Sequence, residues 1–259
     1  MSDISKRLRY PVIFVHGLMV GNKPYKWVKL GKLLQELGAL DNHIHERPRF
    51  CLSETRANML AARIARYQGS KVHVIGHSAG GLDIRHALHN HPNLQKYIAS
   101  ITTMGSPHKG TAIADRYLER LEKIECDEYL FGKFTDKDAE FAEKFAGEMT
   151  RNQAAINDSK WGNPLPDITF CLPGYIDSKW KVPLLSWDGY EYLCEQGYHR
   201  NDGTVPLSSQ THGHVIEIVK SGHLSQSFPV RYGWPWQKPY KDNFELIINN
   251  LKKLEAGLL

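Results

Sequence analysis

Short apolar runs alternate with segments of helical periodicity through most of the chain. Runs of β-branched and aromatic residues predict strands at 11–15, 71–75, 98–104, 168–172 and 214–219. Apolar residues that recur every three or four positions predict helices at 27–37, 54–67 and 79–88. Strands that alternate with helices in this way favour an α/β fold with a mostly parallel central sheet and helices on both faces.

Residues 111–159 interrupt this alternation. They contain two helical patterns, which run through Ile113, Tyr117, Leu121 and Ile124 and through Phe141, Phe145 and Met149. Because this insertion follows a central strand, it would lie over the carboxyl edge of the sheet, where sites in α/β proteins occur. A cover over a site and a purely structural excursion both agree with the periodicity.

The composition indicates an ordinary globular chain. Its 259 residues are 41% hydrophobic and 24% charged, which permits a sizeable core and excludes collagen-like, coiled-coil and wholly disordered chains. No linker rich in Pro, Gly or Ser divides the sequence, so we expect a single domain over residues 1–259. The formal charge, 33 − 28 = +5, is too small to predict a nucleic-acid partner.

The sequence contains no apolar run of the roughly 18 residues that cross a bilayer, so we expect no transmembrane span. It also contains no apolar segment of signal-peptide length before Pro11. The expected location is therefore cytoplasmic by default, with signal-independent secretion as the alternative.

The sequence GHSAG at 76–80 has the pattern G-x-S-x-G and lies directly between a predicted strand and a predicted helix. In such a turn the flanking glycines relieve crowding, the serine is directed outward, and the helix N-terminus supplies free N–H groups. The motif in this setting favours Ser78 as a nucleophile over a structural Gly-Ser turn.

A serine hydroxyl is a weak nucleophile unless a histidine accepts its proton and a carboxylate orients that histidine. Among the 13 histidines, His223 alone follows the last predicted strand. His212 and His214 open that strand, which places them at its amino end and away from Ser78. His223 is therefore the predicted base.

Three aspartates are candidates for the acid. Asp202 lies in the turn sequence NDG at 201–203, between the last two predicted strands. Asp177 and Asp188 obey the same chain order of serine, acid and histidine, and the periodicity excludes neither of them. The residues alone leave the choice open.

Acyl transfer also needs N–H donors directed at the oxyanion of a tetrahedral intermediate. The residue after the nucleophile, Ala79, supplies one N–H. The loop after the first predicted strand is placed to supply a second from Leu18, where the preceding Gly17 permits a tight approach. We therefore predict Leu18 and Ala79 as the oxyanion hole.

Taken in order, five motifs resemble the bacterial true lipases of the α/β-hydrolase fold, the group that contains Pseudomonas, Burkholderia and Proteus enzymes. The motifs are PVIFVHGL at 11–18, GHSAGG at 76–81, GSPHKGT at 105–111, NDGTV at 201–205 and GHL at 222–224. They extend over nearly the whole chain. Each motif alone is weak, but their combination is specific.

This resemblance implies an α/β-hydrolase fold in which Ser78 is the nucleophile, Asp202 the acid and His223 the base, with Leu18 and Ala79 as oxyanion donors. It also favours Asp202 over the two other aspartates. The insertion at 111–159 would correspond to the family's lid, which covers an acyl-binding cleft.

One departure from the family concerns calcium. Family members commonly hold a structural Ca²⁺ with an aspartate two residues after the catalytic histidine, whereas this chain has Ser225 at that position. Residues 224–240 contain no Asp or Glu at all. Because Ca²⁺ prefers several oxygen ligands that include carboxylates, we predict no calcium requirement, and no other metal or cofactor.

We therefore expect a cofactor-free serine hydrolase that cleaves carboxylic esters of acylglycerols, with a lipid ester as its partner at a lipid–water interface. A short-chain esterase, a phospholipase and an acyltransferase would use the same triad. From another class, a catalytically inert binding protein of the same fold is the alternative. Such proteins usually lack a triad member, and this sequence lacks none.

Overall fold

The computed structural model describes residues 6–17, 24–45, 51–67, 69–121, 136–181, 186–228 and 240–259. In these residues the strands are β1 (Val12–Val15), β2 (Asn42–His45), β3 (Val72–His77), β4 (Ile98–Met104), β5 (Thr169–Leu172), β6 (Gly174–Tyr175), β7 (His214–Val215) and β8 (Val219–Lys220). The helices of the same residues are α1 (Pro24–Glu36), α2 (Ser53–Ile64), α3 (Ala79–Asn90), α4 (Ala112–Leu121), α5 (Asp136–Glu148), α6 (Arg151–Trp161), α7 (Trp187–Glu195), α8 (Leu207–Gln210) and α9 (Tyr240–Glu255).

Six strands form one parallel sheet in the order β2-β1-β3-β4-β5-β7, and β6 pairs in parallel with β8 outside it. Helices cover both faces of the main sheet. Val12 and Phe14 of β1 pack with α1 and α9 on one face, whereas Ile13 and Val15 pack with α2 and α3 on the other. The α/β fold with a mostly parallel sheet is therefore confirmed.

The prediction of one continuous strand at 214–219 is wrong. The chain forms β7 in the main sheet and then β8 beside β6. The change of partner coincides with Pro173, which separates β5 from β6 and has no N–H to continue a ladder. Its carbonyl still accepts a hydrogen bond from the Val219 N–H at 2.9 Å. His223 consequently follows β8 and not a strand of the main sheet.

Among the elements that were not predicted are β2 and α6. The edge strand β2 has the sequence NHIH, in which only Ile44 is apolar. The helix α6 lacks a clear apolar face, and its N-terminus is capped by Thr150, whose hydroxyl accepts the Gln153 N–H at 3.2 Å. Polar sequence and weak periodicity hid both elements.

The later part of the 111–159 insertion is attached to the body of the fold by two buried arginines. Arg56 of α2 donates from Nε to both carboxylate oxygens of Asp83, at 2.9 and 3.0 Å, and from Nη2 to Glu148 at the end of α5, at 2.8 Å. Arg85 of α3 donates from Nη2 to Asp158 of α6 at 2.6 Å. Of the first predicted helical pattern, Ile124 lies outside the described residues.

A second buried network closes the amino edge of the sheet. His73 of β3 hydrogen-bonds through Nδ1 to the Ser100 hydroxyl at 2.7 Å and through Nε2 to the Glu255 carboxylate at 3.0 Å. The same carboxylate accepts the N–H groups of Arg9 and Tyr10 at 2.7 and 2.9 Å. The network joins the segment before β1 to the end of α9.

None of the helices in the described residues is long and apolar enough to cross a membrane.

Candidate active site

Ser78 occupies the turn between β3 and α3. Its φ is +56°, and it is the only non-glycine residue with a positive φ among those described. Such a conformation is costly for a residue with a side chain and is typical of a nucleophile directed out of a strand–turn–helix junction. The Ser78 side chain is partly exposed although its neighbours His77 and Ala79 are buried.

The loop after β8 places His223 against this serine. Its Nε2 lies 2.9 Å from Ser78 Oγ, and its Nδ1 lies 2.8 Å from Asp202 Oδ2. A carboxylate can only accept, so Nδ1 carries the proton and Nε2 is left to accept the Ser78 hydroxyl proton. The His223 N–H also donates to the Asp202 carbonyl at 2.9 Å, which ties the two loops together.

The Asp202 carboxylate is fully buried and surrounded by donors. Its Oδ1 accepts the N–H groups of Thr204 and Val205 at 2.9 and 2.7 Å, within its own turn. Its Oδ2 accepts from His223 and from Gln226 Nε2, the latter at 3.1 Å. Four hydrogen bonds therefore fix the plane of this carboxylate.

The two other candidate acids lie elsewhere on the surface. Asp188 pairs with Arg116 at 3.0 Å, and its side chain is 71% exposed. Asp177 pairs with Lys220 at 3.3 Å. Of the three aspartates that the sequence left open, the structure brings only Asp202 to His223.

His77, the residue before the proposed nucleophile, contacts His223 through its side chain. Its Nε2–H donates to the His223 carbonyl at 2.9 Å, and the two ring centroids are 4.9 Å apart. Burial, together with the neighbouring His223, holds the pKa of His77 well below its ordinary value. His77 is therefore a neutral donor at physiological pH.

His212, one of the two histidines rejected as the base, contacts a different histidine. Its ring stacks on His108 with centroids 4.4 Å apart. Burial, assisted by the charge of Arg85, lowers the pKa of His212 to about 4. A neutral imidazole in this stack is a packing element.

Only half of the predicted oxyanion hole falls in the described residues. Ala79 is buried as the first residue of α3, where N–H groups have no partner inside the helix. Leu18 lies outside the described residues. The adjacent Gly17 packs so closely on the nucleophile that a Cβ there would lie 2.6 Å from Ser78 Cβ and 3.1 Å from its Oγ.

The position at which the family carries a calcium-ligating aspartate is occupied by a buried Ser225. Its hydroxyl donates to the Gly222 carbonyl at 3.0 Å. This donor set lacks the carboxylate that Ca²⁺ prefers, so the residues at this position do not fit the family's site. No group of three or more His, Cys, Asp or Glu side chains arranged to hold a metal occurs among the described residues.

Two neighbours of the proposed triad were not singled out by the sequence analysis. His77 lies inside the GHSAG motif, so its position was visible, but its contact with the base depends on a loop 146 residues away. Gln226 belongs to no motif that the sequence analysis used. No signal in the sequence alone connected it with Asp202.

Comparison with known proteins agrees with this architecture. Residues 10–168 match the family model described as the alpha/beta hydrolase fold. The chain belongs to the α/β-hydrolase fold family. The matched residues extend from just before β1 to the residue before β5 and include the Ser78 turn.

Within this family, the chain is similar to bacterial triacylglycerol lipases over part of its length. It is 35% identical over 129 residues to the triacylglycerol lipase of Pseudarthrobacter phenanthrenivorans, an alignment that covers 44% of this chain and 38% of that protein. It is also 35% identical over 129 residues to the triacylglycerol lipase of Burkholderia plantarii, covering 44% and 34% of the two chains. The chain thus spans little more than a third of these relatives.

Solved structures share the fold at low sequence identity. A carboxyl esterase from a metagenome superposes with a TM-score of 0.73 at 14% identity, covering 96% of this chain and 76% of that chain. The mature lipase from Bacillus licheniformis superposes with a TM-score of 0.64 at 21% identity, covering 85% and 86%. These superpositions support the fold of the present chain.

Proposed function

We propose that the chain is a serine hydrolase that cleaves carboxylic esters, with Ser78 as nucleophile, His223 as base and Asp202 as the orienting acid. One observation carries the proposal. An unbroken hydrogen-bonded path runs from the buried Asp202 carboxylate through His223 to the partly exposed Ser78 hydroxyl. This is the arrangement that nucleophilic catalysis by serine requires.

The proposed reaction has two stages. His223 Nε2 accepts the hydroxyl proton while Ser78 Oγ attacks the ester carbonyl, and the same nitrogen then delivers the proton to the departing alcohol. Water, activated by His223, releases the acid from the acyl-enzyme. The Ala79 N–H is the described donor for the oxyanion, and Leu18 is proposed as the second.

Acylglycerols are the proposed substrate class. The similarity to two proteins named triacylglycerol lipase supports it, although over less than half of this chain. A short-chain esterase is the second candidate, since a carboxyl esterase shares the fold. Comparing rates on emulsified long-chain glycerides and on soluble short-chain esters separates the two, and a preference for soluble esters would overturn the lipase assignment.

The nucleophile is tested by Ser78→Ala. We expect ester hydrolysis to fall by about a thousandfold or more, because the reaction loses its covalent route, while the melting temperature stays close to wild type. Ser100→Ala is the matched control, because Ser100 also bonds a histidine but is fully buried. It should retain turnover. Substantial turnover by Ser78→Ala would refute the assignment.

The same variants separate a hydrolase from an inert binding protein. An active-site phosphonate should label the wild-type chain with one group per molecule and should leave Ser78→Ala unlabelled. Absence of labelling in the wild-type chain would favour the binding protein.

We also propose that activity is independent of calcium. Ser225 in place of an aspartate supports this, because its hydroxyl is engaged by the Gly222 carbonyl. Treatment with a chelator should leave both the rate of ester hydrolysis and the melting temperature unchanged. A loss of either that added calcium restores would contradict the proposal.

The insertion at 111–159 is proposed as the cover of the acyl-binding cleft. In support, α4 begins beside the acid loop, where the Thr111 hydroxyl donates to the Thr204 carbonyl at 2.6 Å. The attachments of Glu148 to Arg56 and of Asp158 to Arg85 hold the end of α5 and α6 on the body. Any opening would therefore leave those two positions in place.

A further inference from the structure

Gln226 lies three residues beyond His223, and its side chain is as buried as any in the fold, with 0% of the residue exposed. Its backbone is held at both ends. The N–H donates to the Gly222 carbonyl at 3.1 Å, and the carbonyl accepts from Asn243 Nδ2 of α9, also at 3.1 Å. The side chain is thus presented to Asp202 from a rigid backbone.

The orientation of its amide follows from its neighbour. Gln226 Nε2 lies 3.1 Å from Asp202 Oδ2, and a carboxylate oxygen offers only lone pairs, so the NH₂ group must face it. Gly174 leaves the room for this group, because a Cβ there would lie 2.3 Å from Gln226 Nε2. The Gln226 amide therefore lies in a narrow space between Gly174 and the Asp202 carboxylate.

Two donors share one oxygen of the acid. Asp202 Oδ2 accepts both His223 Nδ1–H and the Gln226 amide, whereas Oδ1 is satisfied by the backbone of its own turn. Donors that converge on one oxygen compete for its electron density, and together they fix the direction of its lone pairs. Removing the amide would leave the carboxylate free to tilt and would change its hold on the imidazole.

We infer that Gln226 is a positioning residue of the proposed hydrolase, in which its amide fixes the Asp202 carboxylate and moderates the carboxylate's attraction for a protonated His223. The inference rests on the proposed function. It assigns to Gln226 no contact with substrate. Its effect is on the rate of proton transfer and on the pH dependence of that rate.

The first test is Gln226→Met, which keeps the length of the side chain and removes the donor. We expect kcat to fall about tenfold with KM within about twofold, because the lost bond involves a charged group and acts after substrate has bound. The acidic limb of the kcat/KM profile should move to higher pH, since the carboxylate then interacts with His223 alone. Rates are divided by the concentration of active sites titrated with a phosphonate, so incomplete folding of the variant does not affect the comparison.

The second test is Gln226→Glu, which restores a donor only while the new carboxyl group is protonated. Its kcat/KM relative to wild type should be highest at acid pH and should decline as pH rises and the added carboxyl ionises beside Asp202. A ratio to wild type that does not depend on pH would contradict a role for the donor at this position.

Gln210→Met is the matched control. Gln210 is a similarly buried glutamine that bonds the Gly174 N–H and carbonyl at 2.7 and 2.9 Å and the Val205 carbonyl at 3.0 Å, and it has no hydrogen bond to Asp202. Its replacement should lower the melting temperature yet leave kcat per titrated site and the pH profile unchanged.

Wild-type kcat and pH profile in Gln226→Met would overturn the inference, as would an identical change in Gln210→Met. Failure of the proposed function has a different signature. In that case Ser78→Ala would keep its turnover. If Ser78→Ala is inactive and Gln226→Met is unaffected, the proposed hydrolase is supported and only the role of Gln226 is refuted.

Discussion

At the scale of single residues, the proposed nucleophile is placed by crowding as much as by hydrogen bonds. Ser78 is held at φ +56° with Gly17 packed against it, so closely that one added carbon would overlap the serine side chain. Behind the base, His77 donates to the His223 carbonyl. Contacts of this kind restrict the geometry of Ser78 and His223 before any substrate arrives.

Gly17→Ala tests this crowding. The new Cβ would lie 2.6 Å from Ser78 Cβ, so the serine or the loop must shift, and we expect kcat for ester hydrolysis to fall by about a hundredfold. Gly147→Ala in α5 is the control, because a Cβ there meets nothing within 4 Å. It should retain activity and gain about 0.5–1 kcal/mol in the free energy of unfolding. Equal activity of the two variants would contradict the crowding.

Whether a residue of the proposed site could be predicted depended on whether its signal is local in the sequence or arises from a tertiary contact. Ser78 and His223 could be located from a local motif and from strand order, and the structure brings them into hydrogen-bonding contact. The acid could not be chosen from the residues, because Asp177, Asp188 and Asp202 differ only in where their loops fold. Gln226 acts across a tertiary contact that leaves no pattern in the chain.

At the scale of elements, α5 is joined to α2 and α3 through one guanidinium shared by two acids. Arg56 bonds Asp83 with both carboxylate oxygens and reaches Glu148 with its other arm. One positive charge thus serves two carboxylates. Burial raises the pKa of Glu148, and the partial share of Arg56 does not offset it.

A Glu148→Gln variant should show the linkage. Between the ordinary carboxyl pKa near 4.5 and the raised value, the folded chain binds more protons than the unfolded chain, so the contribution of Glu148 to stability falls as pH rises. The wild-type free energy of unfolding minus that of the variant should therefore decrease from pH 4 to 7 in urea titrations.

Glu140→Gln on the same helix is the matched control for Glu148→Gln. An ion pair with Lys144 lowers the pKa of Glu140, so the trend there should be weak and of opposite sign. A difference that grows with pH for Glu148 would refute the assignment of a raised pKa.

Strands and helices were predicted accurately where their burial leaves a clear pattern of residue types in the sequence. β4 was predicted residue for residue, because the strand is almost entirely buried and its sequence is rich in β-branched residues. The polar edge strand β2 was missed. The split between β7 and β8 was missed because it depends on Pro173, which lies between β5 and β6, and no pattern within 214–219 records it.

At the scale of the whole molecule, Glu255 at the end of α9 connects the first and last described segments. It bonds the N–H groups of Arg9 and Tyr10 and the imidazole of His73. Burial alone would raise the pKa of Glu255, but the donation from His73 and the two backbone groups outweighs burial and lowers it.

Glu255→Gln should therefore destabilise the fold in a pH-dependent way. The stabilisation is present above the ordinary carboxyl pKa near 4.5 and is lost as pH falls through the lowered value. We expect a loss of about 1–2 kcal/mol in the free energy of unfolding at pH 7, and a smaller loss at pH 4. The exposed Glu245 on the same helix supplies the control, Glu245→Gln. A loss that is equal at both pH values would refute the linkage.

The Ser100–His73–Glu255 network at the amino edge has a consequence for geometric template searches. Such a search for serine, histidine and carboxylate in line would retrieve this sheet twice, once at each edge. One match is a false positive, because Ser100 is completely enclosed and sits within a strand. Solvent access and backbone strain at the serine distinguish a reactive triad from a hydrogen-bonded brace, and a template that omits them overcounts enzymes.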